Sequence, residues 1–212
     1  MAEDRRPYRR QSLEHRREAM IAAALDLMAE GGAQAATVRA IAERAGITSG
    51  LIRHYFPSKD DLTRAAYGAL MDRMTTESLA AIESASNDPA ERLAAFVVAG
   101  LRPPVMAADR VQLWAGFLHQ VRRDPMMRDV HEATYLAYRD RLQGLIEALP
   151  GKSDPTEARR LAIACNAVID GLWLEGGTLP ASFSVGEIER IGLTAISAIL
   201  NTPLPVPAPD TP

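Results

Sequence analysis

Small, polar and cationic residues are concentrated in one short stretch, S-G-L-I-R-H, at positions 49–54 of the chain. On the outward side of a helix, Ser49 and Arg53 can hydrogen-bond to base edges, and Gly50 allows close backbone approach. Lys59 follows at the start of the next predicted helix, where free amides and the helix dipole attract phosphate. An ordinary helical hairpin is the alternative, but Arg53 and His54 are a poor choice for packing. The segment therefore predicts contact with double-stranded DNA.

Two short helices joined by a tight turn are needed to position these residues. Apolar residues recur at helical spacing after Thr37, which is a good N-cap. Gly46 follows the last of them, where a left-handed residue costs least. Thr48 can cap the second helix, and Ser58 with Asp61 forms a capping box for a third. This order of helix, turn and helix is typical of DNA-binding proteins.

The segment T-V-R-x-I-A-x-x-A-G-I-T-S-G-L-I-R-H-Y-F-x-x-K-D-x-L resembles the DNA-binding half of the TetR family of bacterial regulators. The resemblance covers residues 14–69 and implies a homodimer that straddles a palindromic operator. It implies phosphate contacts from Thr37, Tyr55 and Lys59. It implies that the cap Thr48 also belongs to the DNA-binding surface. It places a further group at the major groove, with His54 at the groove's edge: Arg39, Ser49, Gly50, Leu51 and Arg53. Many relatives have an aromatic residue where Arg53 stands, and a guanidinium could instead read a guanine.

Charge is segregated along the chain. Residues 1–59 contain 10 Lys and Arg against 7 Asp and Glu, whereas the whole chain contains 24 against 27. A basic amino-terminal part agrees with DNA binding. The chain has no apolar signal region or membrane-length apolar stretch, and it has a single cysteine, so we expect a cytoplasmic protein without a membrane association.

The predicted domain order begins with a disordered basic arm at residues 1–11, which either lies along DNA or only aids solubility. A helix-turn-helix domain follows at residues 12–62, with its first helix near residues 12–30. A ligand-binding and dimerisation domain occupies residues 63–201, and a Pro-rich unstructured tail occupies residues 202–212. The fold class is all-α, with about nine helices: a three-helix head and a helical-bundle body.

Two predicted helices near the end of the body are unusually apolar. The first is apolar nearly all round, so it must be covered on two sides. Pairing of these helices with their copies would give a four-helix interface, and a large monomeric core is the alternative. Because a palindrome requires a dimer, we favour the interface. Its predicted residues are Leu161, Cys165, Val168, Ile169, Leu172, Ile188, Ile191, Ala195, Ile196 and Ile199.

The body contains aromatic residues and one carboxylate on an apolar helix, which together would suit a quaternary ammonium ion. The alternative is that these rings are ordinary core. The segment I-D-G-L-W-L at 169–174, with Trp114 and Phe117, resembles BetI-type regulators, which implies a repressor that responds to choline. The candidate ligand residues are Phe96, Trp114, Phe117, Tyr135, Tyr138, Asp170 and Trp173.

No motif of an enzyme, metal site or cofactor site is present in the sequence, and His131-Glu132 lacks the second histidine of a zincin helix. The sequence therefore predicts a dimeric repressor released from operator DNA by a small-molecule effector, such as choline or a related quaternary ammonium. A DNA-binding regulator without an effector is the first alternative. An enzyme built on a helical bundle is the second, and the missing acid–base residues count against it.

Overall fold

The computed structural model describes the backbone of residues 5–206 and the side chains of residues 13–206. This part of the chain contains helices and no strands, which confirms the predicted all-α class. None of its helices is long and apolar enough to cross a membrane. The nine helices are α1 (Arg5–Gly31), α2 (Val38–Arg44), α3 (Ser49–Tyr55), α4 (Lys59–Glu83), α5 (Pro89–Gly100), α6 (Ala108–Val121), α7 (Pro125–Glu147), α8 (Pro155–Thr178) and α9 (Glu187–Leu200), with a 3₁₀ turn at Pro180–Ser182.

Helix α1 begins earlier than predicted. It starts at Arg5 instead of near residue 12, and a proline at position 7 is compatible with this start because it lies in the first turn. The backbone of residues 5–11 is therefore helical, which corrects the disorder predicted for this part of the arm. The side chains that the proposed DNA contacts of the arm require lie outside the described part of the chain. Helix α1 ends close to the predicted residue 30, where Gly32 has φ 72° and its amide donates to Met28 O at 2.8 Å.

The first of two compact units contains the residues up to Leu70 together with Leu113–His131. This differs from the predicted boundary after residue 62, which placed 113–131 in the body. Long-range contacts explain the difference. Arg64 donates to Asp61 and to Asp124, both at 2.7 Å. The fully buried Tyr67 has its hydroxyl 2.6 Å from His131 Nδ1.

The second unit contains Met71–Gln112 and the residues from Glu132 onward. Helices α8 and α9 pack against each other, and α9 also packs against α5. Gly192 permits this close approach, since a Cβ there would lie 2.4 Å from a methyl of Leu101. The start of the predicted unstructured tail is ordered instead. Leu204 is buried, and its backbone amide donates to Ser197 Oγ at 3.0 Å. These two contacts fix this part of the tail to the second unit. Residues 207–212 lie outside the described part of the chain.

Candidate functional site

The turn between α2 and α3 is built from local hydrogen bonds. The Thr37 hydroxyl accepts from the amide of Ala40 at 3.1 Å, and the Thr48 hydroxyl accepts from that of Leu51 at 3.3 Å. Gly46 has φ 65°, the left-handed conformation in which a side chain is disfavoured. These observations confirm both predicted caps and the predicted glycine turn. The helix-turn-helix geometry follows from the residues of the turn itself.

Helix α3 separates a buried side from an exposed side. Ile52 is 2% exposed and anchors the helix to the first unit. Leu51 is half-buried. The remaining residues that the sequence assigned to the major groove are all exposed: Arg39 on α2, and Ser49, Gly50, Arg53 and His54 on α3. The arrangement leaves hydroxyl, guanidinium and imidazole groups together on a surface that a groove of DNA can reach.

The residues expected to contact phosphate differ in accessibility. Thr37 and Lys59 are exposed, and the Lys59 ammonium donates to Ala33 O at 3.3 Å. Ser58 and Asp61 form the predicted capping box, with Ser58 N donating to Asp61 Oδ2 at 3.0 Å and Asp61 N donating to Ser58 Oγ at 3.1 Å. The Tyr55 hydroxyl is buried and has no hydrogen-bond partner among the described residues. Tyr55 therefore cannot donate to a phosphate in this conformation, which corrects the expectation drawn from the resemblance.

Two contacts hold α2 and α3 against α1. Arg44 donates to both carboxylate oxygens of Glu30, at 2.7 and 2.9 Å, and this hydrogen bonding holds the pKa of Glu30 below its ordinary value. The Arg17 guanidinium lies 5.4 Å from the centroid of the Phe56 ring, at a distance typical of a cation–π contact. Both contacts restrict the orientation of the exposed face.

The second unit brings the carboxylate of the predicted ligand set into a hydrogen-bonded cluster. The Tyr135 hydroxyl donates to Asp170 Oδ2 at 2.5 Å. Asn166 Nδ2 donates to the Tyr135 oxygen at 2.6 Å and to Asp170 Oδ2 at 3.1 Å. Burial, and then the nearby Asp170, raise the pKa of Tyr135. Sequence reasoning missed Asn166, although its position one turn from Asp170 on an apolar helix was a usable signal.

The aromatic residues of the second unit surround Gly100. The Tyr138 ring stacks on Phe96, with centroids 5.0 Å apart and an interplanar angle of 30°. Trp173 Nε1 donates to Gly100 O at 2.7 Å, and a Cβ at Gly100 would lie 3.2 Å from the Tyr138 hydroxyl. Within the described residues, two buried polar atoms lack a hydrogen-bond partner here: the Tyr138 hydroxyl and Asn166 Oδ1.

The predicted ligand residues divide between the two units. Phe96, Tyr135, Tyr138, Asp170 and Trp173 belong to the second unit, whereas Trp114 and Phe117 belong to the first. Phe117 is buried against Tyr67, with ring centroids 4.8 Å apart. A structural role in the first unit therefore accounts for Phe117.

The predicted interface residues are largely buried within one chain. Five of them are less than 9% exposed, so they have almost no surface left to cover: Cys165, Ile169, Leu172, Ile188 and Ile196. Burial also raises the pKa of the Cys165 thiol to about 12. Leu161, Val168, Ala195 and Ile199 are half-buried, and Ile191 is 41% exposed. The prediction for the five is corrected, because contacts of α8 with α9 inside the chain use that stripe.

The opposite face of α8 remains apolar and exposed. Ile163 is 39% exposed and Leu174 is 54% exposed, and Ala167 between them is also exposed. Ile191 is exposed on α9, so each of the two packed helices carries exposed apolar side chains.

Comparisons with known proteins agree along most of the chain. The profile of "Bacterial regulatory proteins, tetR family" matches residues 20–66, and that of "BetI-type transcriptional repressor, C-terminal" matches residues 89–201. Proteins named HTH-type transcriptional regulator BetI from Burkholderia thailandensis and Rhizobium meliloti are 32% and 30% identical to this chain. The alignments cover 88% and 80% of this chain and 94% and 82% of theirs. These families and relatives are transcriptional regulators and not enzymes.

Solved structures give the same result for the fold. A transcriptional regulator from Rhodococcus sp. Rha1 has a TM-score of 0.72 and 27% identity, over 90% of this chain and 99% of that chain. A protein from Saccharomonospora viridis, solved in complex with choline, has a TM-score of 0.72 and 22% identity, over 87% of this chain and 96% of that chain. At that identity, the second likeness shows a shared fold.

Proposed function

Since the chain belongs to the TetR family and carries a BetI-type repressor C-terminal domain, we propose that it binds a palindromic operator as a homodimer and leaves it when a small-molecule effector binds. Three parts of this proposal have separate support. The exposed residues of α3 support operator contact, the apolar face of α8 and α9 supports the dimer, and the polar cluster of the second unit supports the effector site.

Operator contact rests on one observation, the exposure of Ser49, Gly50, Arg53 and His54 while Ile52 fixes the helix from behind. In a dimer, two such helices about 34 Å apart would enter successive major grooves. Arg53 would read a guanine through two hydrogen bonds, whereas Lys59 would contact phosphate without reading sequence.

Fluorescence anisotropy with operator and scrambled duplexes, at several salt concentrations, tests these roles. Arg53→Ala should lower the preference for the operator by about 1–3 kcal/mol. Lys59→Ala should weaken binding to both duplexes equally and reduce the salt slope by about one. Arg159→Ala, which removes an exposed cation from α8, is the control for charge alone. Equal effects of Arg53→Ala and Lys59→Ala on specificity would contradict the assignment.

The dimer would form through the exposed apolar face of Ile163, Ala167, Leu174 and Ile191. Exposed apolar side chains on two helices that pack against each other suit a symmetric four-helix interface. Leu174→Asp should convert the dimer to a monomer in light scattering at micromolar concentration. Val185→Asp is the matched control, because Val185 is 99% exposed in the loop before α9. An unchanged dimer in Leu174→Asp would place the interface elsewhere.

The effector would be a quaternary ammonium compound bound near Asp170, Tyr135 and the aromatic residues Phe96, Tyr138 and Trp173. Aromatic faces and a carboxylate attract such a cation, and the structurally similar Saccharomonospora viridis protein was solved with choline. The effector can weaken DNA binding only by the difference between its binding free energies to the DNA-binding and the released conformations of the protein. This difference is often about 1–3 kcal/mol.

Choline titrated into the protein–operator complex at constant ionic strength, with sodium chloride as control, tests this step. We expect operator release, and Asp170→Asn should weaken the response more than it weakens DNA binding without choline. The burial of Phe96 and the existing hydrogen bonds of Asp170 favour the rival possibility of a regulator without an effector. Failure of choline and other quaternary ammonium ions to bind or to release DNA would select that rival.

A further inference from the structure

We propose that the turn between α6 and α7 is a second DNA-contacting surface, where Arg122 and Arg123 bind backbone phosphates of the duplex beside the half-site read by α3. The inference rests on the proposed operator contact and extends it beyond the helix-turn-helix. It starts from the segment Leu113–His131, which belongs to the same compact unit as the proposed DNA-contacting helices.

Contacts with α4 hold this segment in place. Arg64 of α4 donates to Asp124 Oδ2, in the turn, at 2.7 Å. Three residues further along α4, the Tyr67 ring packs against Phe117 of α6, with centroids 4.8 Å apart. The Tyr67 hydroxyl lies 2.6 Å from Nδ1 of His131 in α7. The chain before the turn, the turn itself and the chain after it are therefore all held by one helix.

The same helix carries Lys59, the residue proposed to contact phosphate, at its first position. Arg64 lies five residues later, which is about 7.5 Å along the helix axis at about 1.5 Å per residue. The contact between Arg64 and Asp124 therefore places the turn about one and a half helical turns from the end of α4 proposed to meet DNA. A turn at this separation is suited to phosphates beyond those that Lys59 contacts.

The two arginines of the turn keep their charge available. Arg122 and Arg123 are exposed, and neither belongs to an ion pair of the described residues. The adjacent Asp124 is already occupied, because its Oδ2 accepts from Arg64 and its Oδ1 accepts from the Met126 amide at 2.9 Å. Two exposed guanidinium groups without a carboxylate partner are suited to bind a polyanion.

The backbone of the turn is also fixed, since the amides of Arg123 and Asp124 both donate to Gln120 O at 2.9 Å. Arg128 is exposed one turn into α7, but Glu132 follows at i+4 spacing and opposes its charge, so we assign the contact to the arginine pair. Contacts to phosphate add affinity without reading sequence. A solvated surface without a partner is the alternative, and it predicts that flanking DNA has no effect.

Fluorescence anisotropy with two duplexes tests the surface. Both contain one sequence that the full chain has selected from a random pool, and the long duplex extends the short one by about 10 base pairs, one helical turn, on each side. The parent protein should bind the long duplex about tenfold or more tightly, with a salt slope steeper by about two per subunit. In Arg122→Gln/Arg123→Gln, the long duplex should bind with the affinity and salt slope of the short one.

The matched control is Arg141→Gln/Arg159→Gln, which removes two exposed cations from α7 and α8 of the second unit. It changes the net charge by the same amount and should keep the parent preference for the long duplex. Arg53→Ala should lose sequence preference on both duplexes and keep the effect of the flanks. Both double variants should melt with the parent protein, because all four arginines are exposed.

Hydroxyl-radical footprinting on the long duplex gives a readout that does not depend on affinity. The parent protein should protect the DNA backbone outside the selected sequence as well as within it. Arg122→Gln/Arg123→Gln should lose only the outer protection, and the control double variant should retain both.

The outcomes separate this surface from the proposed operator contact. Equal affinity of the parent protein for the two duplexes, or a flank effect that Arg122→Gln/Arg123→Gln retains, would overturn the surface and leave operator contact by α3 standing. A loss of equal size in the control double variant would also overturn the surface, because general charge would then explain it. Failure of the parent protein to select or bind any duplex would overturn the operator contact and the surface with it.

Discussion

The DNA-contacting face of the first unit and the polar cluster of the second unit are assembled in opposite ways. In the first unit, the exposed groups stand on a short turn whose hydrogen bonds join residues three positions apart. In the second unit, the polar groups are joined over separations of 31 to 73 residues, between Tyr135 and Asn166 and between Gly100 and Trp173. A local, exposed site can change without loss of stability, whereas a buried, long-range site ties ligand recognition to the stability of the fold.

Truncation of a large residue in each region gives the greatest contrast. Trp173 is 5% exposed and donates to Gly100 O, so Trp173→Ala should lower the free energy of unfolding by about 3–5 kcal/mol. Arg53→Ala removes an exposed side chain and should change it by no more than about 0.5 kcal/mol. Urea unfolding followed by circular dichroism measures both. Similar unfolding free energies for the two variants would show that the two regions do not differ in this way.

Two glycines separate stability from DNA contact within the first unit. Gly46 has φ 65° and Gly50 is helical, and a Cβ at either position would meet nothing within 4 Å. Gly46→Ala should cost about 1–2 kcal/mol of folding stability through backbone conformation alone. Gly50→Ala should instead stabilise the helix by about 0.5–1 kcal/mol.

The two substitutions should affect operator affinity in the opposite order, with Gly50→Ala causing the loss and Gly46→Ala causing none. Gly50→Ala places a methyl group on the face proposed to enter the groove, so it should weaken operator binding although the protein melts higher. Gly46→Ala should bind the operator normally below its melting temperature. Measuring Tm and operator affinity on the same samples checks both, and a Gly50→Ala protein with unchanged affinity would exclude close backbone approach at this position.

Features built from local contacts could be predicted from the sequence, whereas features built from long-range contacts could not. The caps Thr37 and Thr48, the turn at Gly46 and the Ser58 capping box all depend on neighbours within three or four residues, so their types and spacing are sufficient. The exposed side of α3 was predictable for the same reason. The Tyr55 hydroxyl was not, because its burial depends on how α3 packs and not on its place in the motif.

Long-range packing explains the remaining differences. Helix α8 is apolar on nearly every side, so its periodicity does not reveal which stripe faces its own chain. Cys165 and Ile169 turned inward, while Ile163 and Leu174 remained exposed. Asn166 acquires its role from Tyr135 on another helix, and residues 113–131 join the first unit through contacts such as Arg64 with Asp124. Spacing along one helix carries no information about such partners.

The smallest expected difference in stability between the units concerns two groups of ion pairs. In the first, Arg64 lies between two carboxylates, Asp61 and Asp124; in the second, Glu77 lies between Arg73 and Arg110. The hydrogen bond from Arg110 is the main cause that lowers the pKa of Glu77, and that from Arg64 likewise lowers the pKa of Asp124. A lowered pKa in the folded state stabilises the protein above the ordinary carboxyl value and ceases to do so as pH falls through the lowered value.

Acid should therefore destabilise the second unit below about pH 4.5, the ordinary value for glutamate, and the first unit below about pH 3.8, the ordinary value for aspartate. Protonation of Glu77 leaves two arginines facing each other, whereas Asp124→Asn leaves Arg64 still paired with Asp61. Glu77→Gln should cost about 1 kcal/mol or less at neutral pH and should flatten the loss of stability on acidification. Asp124→Asn should lower the stability at neutral pH less than Glu77→Gln does, and it should also flatten the loss of stability on acidification less. Melting temperatures of the three proteins between pH 3 and pH 7 decide the order, and a steeper acid dependence in Glu77→Gln than in the parent protein would mean that another carboxylate controls this transition.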